Sequence, residues 1–141
     1  MEKDIQLLEK IYSGTHIGSR SLNTILPRVE NESLRKCIIK QMNEYDKINS
    51  EAKSQINSMG VKVKKDSLAV LGAVIESKIN TAINPSSSHV AEMIVKGSNM
   101  GVLNLTKEMN RSLFSSPEVY SLGRKLLDTE EQNLSRMKQF L

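Results

Sequence analysis

Residues 60–87, GVKVKKDSLAVLGAVIESKINTAINPSS, decide the fold. They open on Gly60, close on Asn84-Pro85-Ser86-Ser87, and in between carry Leu68, Val70, Leu71, Val74, Ile75, Ile79 and Ile83 at helical spacing. The stretch is long enough to travel the length of a helical bundle, and Asp66 to Ile83 reads as a helix in its own right. The flanking sequence therefore divides into two halves joined by one long crossover rather than by a tight turn.

Each half reads as two helices. Over residues 3–27, Leu8, Ile11, Tyr12, Thr15, Ser19, Leu22 and Leu26 recur at three- and four-residue steps. Pro27 lacks an N–H and disfavours helix at the residue before it, so the run ends there. Asn31 can cap a second helix reaching residue 59, with Glu32 favourable in its first turn and Gly60 as its stop. Its inward face is Leu34, Cys37, Ile38, Tyr45, Ile48, Ala52 and Ile56; a one-residue rotation would bring in Glu44 and Lys47 instead, and the sequence leaves that choice open. In the second half, serines precede a helix over 88–113 with Ala91, Ile94, Val95, Ser98, Gly101, Leu105 and Met109 on one stripe. Ser116-Pro117-Glu118 then supplies a cap, a first-position proline and an acid. The helix it opens, 117–140, carries Val119, Leu122, Leu126, Glu130, Asn133, Met137 and Phe140. Short connections near 28–30 and 114–116 make the two helices of each half antiparallel neighbours.

Composition limits what such a chain can do. With 141 residues, 38% hydrophobic and 26% charged, it suits a single domain, 1–141, that buries one core without disulfides or metal. The net charge of +4 comes from 20 basic and 16 acidic residues whose signs alternate along the chain. The compact basic run, Lys62 to Lys65, falls at a connection, so no face is built for nucleic acid. Cys37 stands alone, which excludes an internal disulfide and a CxxC motif and suits a small buried hydrophobe. Glu2, Lys3 and Asp4 do not begin a secretory leader, and the longest apolar run, Leu68 to Ile75, is too short to cross a bilayer. The expectation is a soluble, cytoplasmic protein without a membrane partner. Abundant Lys, Ile and Asn are what an AT-rich bacterial genome would give.

A weak internal repeat relates the halves. Gly14-Thr15-His16-Ile17-Gly18 matches Gly97-Ser98-Asn99-Met100-Gly101, and the second and last helices align so that Leu34, Cys37, Tyr45, Ile48 and Ala52 fall on Val119, Leu122, Glu130, Asn133 and Met137. Two glycines a turn apart cost a helix about 1 kcal/mol each relative to alanine. The expected compensation is a close passage of the two glycine-bearing helices at mid-bundle.

This organisation, with Ser88 to Gly101 (SHVAEMIVKGSNMG) and Thr129 to Leu141 (TEEQNLSRMKQFL), resembles the ferritin-like superfamily, especially its small bacterial members that lack di-iron ligands. The resemblance spans nearly the whole chain and implies a ferritin-like up-down four-helix bundle with an additional short helix in the crossover. In metal-binding members each half gives a Glu from its first helix and a Glu-x-x-His from its second. By phase those positions are Thr15 and Ser98, Tyr45 and Ile48 (or Glu44 and Lys47), and Glu130 and Asn133. At least four of the six ligands are missing, so neither a di-iron site nor any other metal or cofactor is expected.

Other chemistries find little support. His16 lies beside the stripe of its helix and His89 at a helix start, where surface or capping roles suffice. No Ser-His-Asp set, P-loop or dinucleotide-type glycine loop is present, and no catalytic residue is assigned. The Gly-x-x-x-Gly pairs do not sit in long apolar runs, so they do not read as membrane dimer motifs. Glu130 remains. It interrupts an apolar stripe between Leu126, Leu127, Leu134 and Met137, where a charge is costly unless paired. A mid-bundle polar layer of Thr15, Tyr45, Ser98, Glu130 and Asn133 is therefore expected. The functional expectation is a non-catalytic, metal-free protein acting through protein contacts, as a homodimer or larger assembly across Leu68 to Ile83. The alternative is a small-molecule or single-cation binder, or an enzyme, built on the layer around Glu130.

Overall fold

The computed structural model describes residues 2–63, 66–82, 84 and 86–141. Five helices, α1 (Glu2–Ile25), α2 (Glu32–Ser58), α3 (Asp66–Ala82), α4 (Ser87–Arg111) and α5 (Pro117–Met137), account for nearly all of them, with single 3-10 turns at Leu26–Arg28 and Lys138–Phe140. The basic run at 62–65, the end of the crossover at Ile83 and the proline of the serine-rich entry to α4 lie wholly or partly outside the described residues.

The helix ends follow their local chemistry. α1 tightens into a 3-10 turn at Pro27 and stops. Asn31 Oδ1 accepts the Leu34 N–H at 2.9 Å and starts α2. Gly60, at φ +77°, closes it: its N–H reaches Asn57 O at 3.0 Å and the Val61 N–H reaches Ile56 O at 3.4 Å. Ser86 Oγ accepts the His89 N–H at 3.3 Å and caps α4. Ser116 occupies the cap position of α5 without a side-chain cap bond. Its own N–H instead donates to Asp4 Oδ1 at 2.7 Å, which ties the start of α5 to the start of α1.

These ties fix the directions. Lys3 Nζ donates to Arg111 O at 2.7 Å, so α1 runs antiparallel to α4. Glu44 with Arg136 at 3.4 Å and Glu51 with Lys125 at 3.6 Å set α2 antiparallel to α5. Around the bundle the order is α1, α2, α5, α4, and α3 packs along the outside of α1, where Arg20 meets Glu76 at 2.5 Å.

The core is aliphatic. Leu7, Leu8, Ile11, Leu34, Ile38, Ala52, Ile56, Val90 and Ala91 are fully excluded from solvent. In α2 the open choice of rotation is settled, since Tyr45 and Ile48 are buried while Lys47 is exposed and Glu44 is half-buried against Arg136. In α1 the inward line passes through Thr15, Leu22 and Ile25 rather than Ser19 and Leu26. Ser19 turns outward and bonds Asp46 at 2.6 Å. Cys37, Val95 and Phe140 are half-buried rather than central. On α3, Ile79 is buried and Ile75 half-buried, whereas Val70 is 68% exposed and Leu71 and Val74 are each 46% exposed. Among the described residues no helix is long and apolar enough to cross a membrane.

Candidate functional site

The glycine repeat does not bring α1 and α4 together. A Cβ built on Gly14 or on Gly97 would find nothing within 4 Å. One on Gly18 would meet the Tyr45 ring at 2.8 Å, and one on Gly101 would meet Glu130 Oε2 at 3.0 Å. The expected close passage is thus replaced by an opening. The two missing side chains at the rim leave a cleft empty, and the two deeper glycines make room for a tyrosine and a glutamate reaching across from α2 and α5. The helical cost of the glycines is offset by what they admit, not by backbone contact.

The resulting cleft has a volume of about 540 Å³. Along α1 it extends from Lys10 to Ile25, a rise of about 22 Å for an α-helix. Leu71, Ile75 and Ile79 of α3 close one side and Met93, Ile94 and Leu105 of α4 the other. The crossover helix therefore serves as a wall, because the seam between α1 and α4 is too sparsely filled to seal itself. A volume in this range, with apolar walls and few polar groups, is the usual form of a small-molecule site.

Its floor is polar. The Tyr45 hydroxyl donates to Glu130 Oε1, Gln41 Nε2 donates to the Tyr45 oxygen at 3.0 Å, and Gln41 Nε2 also reaches Ser98 Oγ at 3.3 Å. Glu130, Tyr45, Gln41 and Ser98 are all at least nine-tenths buried, and all four line the cleft. Three helices supply them: α2 gives Gln41 and Tyr45, α4 gives Ser98 and α5 gives Glu130. Gln41 Oε1 is buried and has no hydrogen-bond partner among the described residues. Such an atom forfeits about 1–3 kcal/mol until something donates to it.

The environment sets the protonation states. Burial raises the Glu130 carboxyl to about 7; the Tyr45 hydrogen bond opposes this in part, and the Glu44 charge adds to it. Tyr45 is pushed well above its ordinary range, by burial first and then by the charge of Glu130. The tyrosine therefore stays a donor at every physiological pH, while the glutamate titrates near neutrality.

Of the five residues expected to form one layer, the structure brings together Tyr45, Ser98 and Glu130. Thr15 is buried but turns back on its own helix, donating to Ile11 O at 2.8 Å and Tyr12 O at 3.1 Å, and accepts from Asn49 Nδ2 at 3.1 Å. Asn133 is buried one turn beyond Glu130, where its Oδ1 accepts from Arg136 at 3.0 Å and its Nδ2 has no partner. The residue missed in the sequence is Gln41. It lies three after Ile38 and four before Tyr45, squarely on the inward line of α2, but its polar side chain breaks the apolar pattern that marks such a line. His16 stacks on Tyr12 with centroids 6.2 Å apart, and His89 stands in the first turn of α4. Among the described residues no three His, Cys, Asp or Glu side chains gather where they could hold a metal ion. No family model, curated protein or solved structure matches the chain.

Proposed function

We propose that this protein binds a small, largely apolar molecule in the cleft between α1 and α4, with its polar end on the floor formed by Gln41, Tyr45, Ser98 and Glu130. One observation carries the reading: a buried polar cluster with an unsatisfied acceptor at the bottom of an apolar cleft of about 540 Å³. A merely structural polar layer gains nothing from lying under an opening, and a packed bundle has no use for glycines that face empty space. The cluster holds no nucleophile–base pair and no group of metal ligands, so binding accounts for it better than catalysis.

A ferritin-like ancestry belongs to the same proposal. It is supported by the single long crossover, by the antiparallel pairing of α1 with α4 and of α2 with α5, and by Glu130 facing inward where such proteins carry a ligand. Of the positions that carry ligands in such proteins, Tyr45, Ser98 and Glu130 line the cleft, while Thr15, Ile48 and Asn133 lie outside its lining.

A neutral fluorophore, N-phenyl-1-naphthylamine, tests the reading. The expected result is saturable 1:1 binding, weakened at least tenfold by Gly14→Leu or Gly97→Leu, whose added side chains enter open space. No binding, or binding indifferent to both substitutions, would overturn it. A second reading, pairing of two copies across α3, is favoured by Val70, Leu71 and Val74 exposed in one row and by half-exposed Met100 at the cleft mouth. Light scattering at high micromolar concentration would give a dimer that Val70→Lys and Val74→Lys dissolve, and a monomer throughout would remove it.

A further inference from the structure

The hydrogen bonds on the floor of the cleft have a direction. The Gln41 amide is spent on Tyr45 and Ser98 and the Tyr45 hydroxyl on Glu130, so that the Ser98 hydroxyl is the one floor donor not engaged in these bonds. Two acceptors are left over. Gln41 Oε1 has no partner, and no hydrogen bond among the described residues reaches Glu130 Oε2, which lies against Gly101. A molecule that completes this floor must bring donors, not acceptors.

Charge points the same way. Among the described residues, the ionisable ones lining the cleft are Lys10, Tyr45 and Glu130. Lys10 stands eight residues before Gly18 on α1, about 12 Å away along the axis, so it cannot neutralise a carboxylate at the level of Tyr45. α4 offers no ionisable wall residue, and among the described residues α3 presents Leu71, Ile75 and Ile79 to the cleft. From α2, Glu44 adds negative potential behind Glu130, and its partner Arg136 faces it rather than the cleft. The floor is thus an anionic, acceptor-rich spot at the end of an apolar channel.

We infer that the cleft selects an amphiphilic primary amine: a protonated amino group paired with Glu130 and within reach of the Gln41 acceptor, and a hydrocarbon tail along the seam of α1 and α4 under α3. This deepens the proposed function and rests on it. Three N–H bonds on one ammonium satisfy both leftover acceptors and leave one for Ser98 Oγ. A carboxylate head would find only the Ser98 hydroxyl and the proton of a neutral Glu130, beside an anionic acceptor once Glu130 ionises, and an alcohol has a single donor for two acceptors. When a cation pairs with a carboxyl that is protonated below about pH 7, one proton leaves the protein, so amine binding tightens as pH rises towards that value.

Decylamine, decanol and decanoate, each below its aggregation limit, separate the possibilities by displacement of the fluorophore. At pH 7.5 decylamine is expected to bind at least tenfold more tightly than either competitor. Its affinity should fall up to tenfold per pH unit between pH 6.5 and 5, while decanol binding stays level. Glu130→Gln should abolish the preference for the amine over decanol, and its cooperative urea unfolding shows that the variant is folded. Equal binding of all three, tighter binding of decanoate, or an amine preference that survives Glu130→Gln would overturn the inference and leave the cleft reading intact. Failure of every amphiphile and of the fluorophore would end both.

Discussion

The two long seams of α1 teach opposite lessons. Towards α2 the helix is sealed: Leu7, Leu8 and Ile11 at the level of Ala52 and Ile56, and Leu22 and Ile25 at that of Leu34 and Ile38, are all buried, and Asn49 stitches the pair by donating to Tyr12 O at 3.0 Å. Towards α4 the same helix presents Gly14 and Gly18 to Gly97 and Gly101, and the space is closed from outside by α3 instead of being filled from within. Both seams belong to one bundle of ordinary composition, so the difference is not a shortage of apolar side chains. Large ones are present but spent elsewhere: Val70 and Val74 stand at the surface while the seam beside them stays open. Stability resides in the first seam; the proposed binding belongs to the second.

Cutting the sealed seam should give the largest effect. Ile38→Ala removes a side chain with no exposure, at a cost of about 2–5 kcal/mol. Ile75→Ala on α3, a change of the same size at a half-buried wall of the cleft, should cost less than about 1 kcal/mol. Urea unfolding of both variants makes the comparison. Equal losses would mean that α3 is as much a part of the core as α2, and the contrast between the seams would fall.

Glu130 sharpens the contrast through pH. Its carboxyl titrates near 7 in the folded protein against an ordinary 4.5. Between those values the native state holds a proton that the unfolded chain releases, so stability is greatest below about pH 4.5 and declines as pH rises to about 7. The decline amounts to roughly 1–3 kcal/mol, the lower end applying if water in the cleft partly hydrates the carboxylate. In Glu130→Gln this component of the profile should vanish, and the variant should be the more stable protein at pH 8. Thermal unfolding from pH 5 to pH 8 reads both. A wild-type profile that is flat or rises through that window would show that the carboxylate is solvated, and the floor of the cleft would no longer be a dry one.

The helices were legible because their boundaries are written in single residues: Pro27, Asn31, Gly60 and the Ser116-Pro117 pair act locally, and local chemistry needs no knowledge of the fold. The inward position of Glu130 was legible for a related reason, since a lone charge inside a 3.6-residue stripe has few places to go. The cleft was not. A Gly-x-x-x-Gly pair predicts that something approaches the helix, but whether that is a second backbone or a side chain from across the bundle depends on helix separation, which no periodicity encodes. Thr15 and Asn133 share the stripe with the floor residues yet satisfy themselves at other levels. A stripe gives direction around the helix axis, whereas a hydrogen bond also requires the right height along the partner helix. Gln41 was hidden by its own polarity.

The smallest expected effects are the most specific to the open seam, because they separate glycines that differ only in what lies opposite. An added Cβ at Gly14 or Gly97 meets nothing within 4 Å, so alanine there brings only its better helix propensity and should raise stability by about 0.5–1 kcal/mol. At Gly18 the same methyl stands 2.8 Å from the Tyr45 ring, which is anchored through its hydroxyl to Glu130 and cannot swing aside without breaking that bond. At Gly101 it stands 3.0 Å from Glu130 Oε2. In these two variants the propensity gain should be cancelled or reversed. Urea midpoints with an unchanged slope would isolate the difference. Four substitutions that all stabilise would leave Tyr45 and Glu130 unanchored. Four that all destabilise would mean that α1 and α4 touch backbone to backbone, as the repeat alone implies, and that the cleft does not exist in solution.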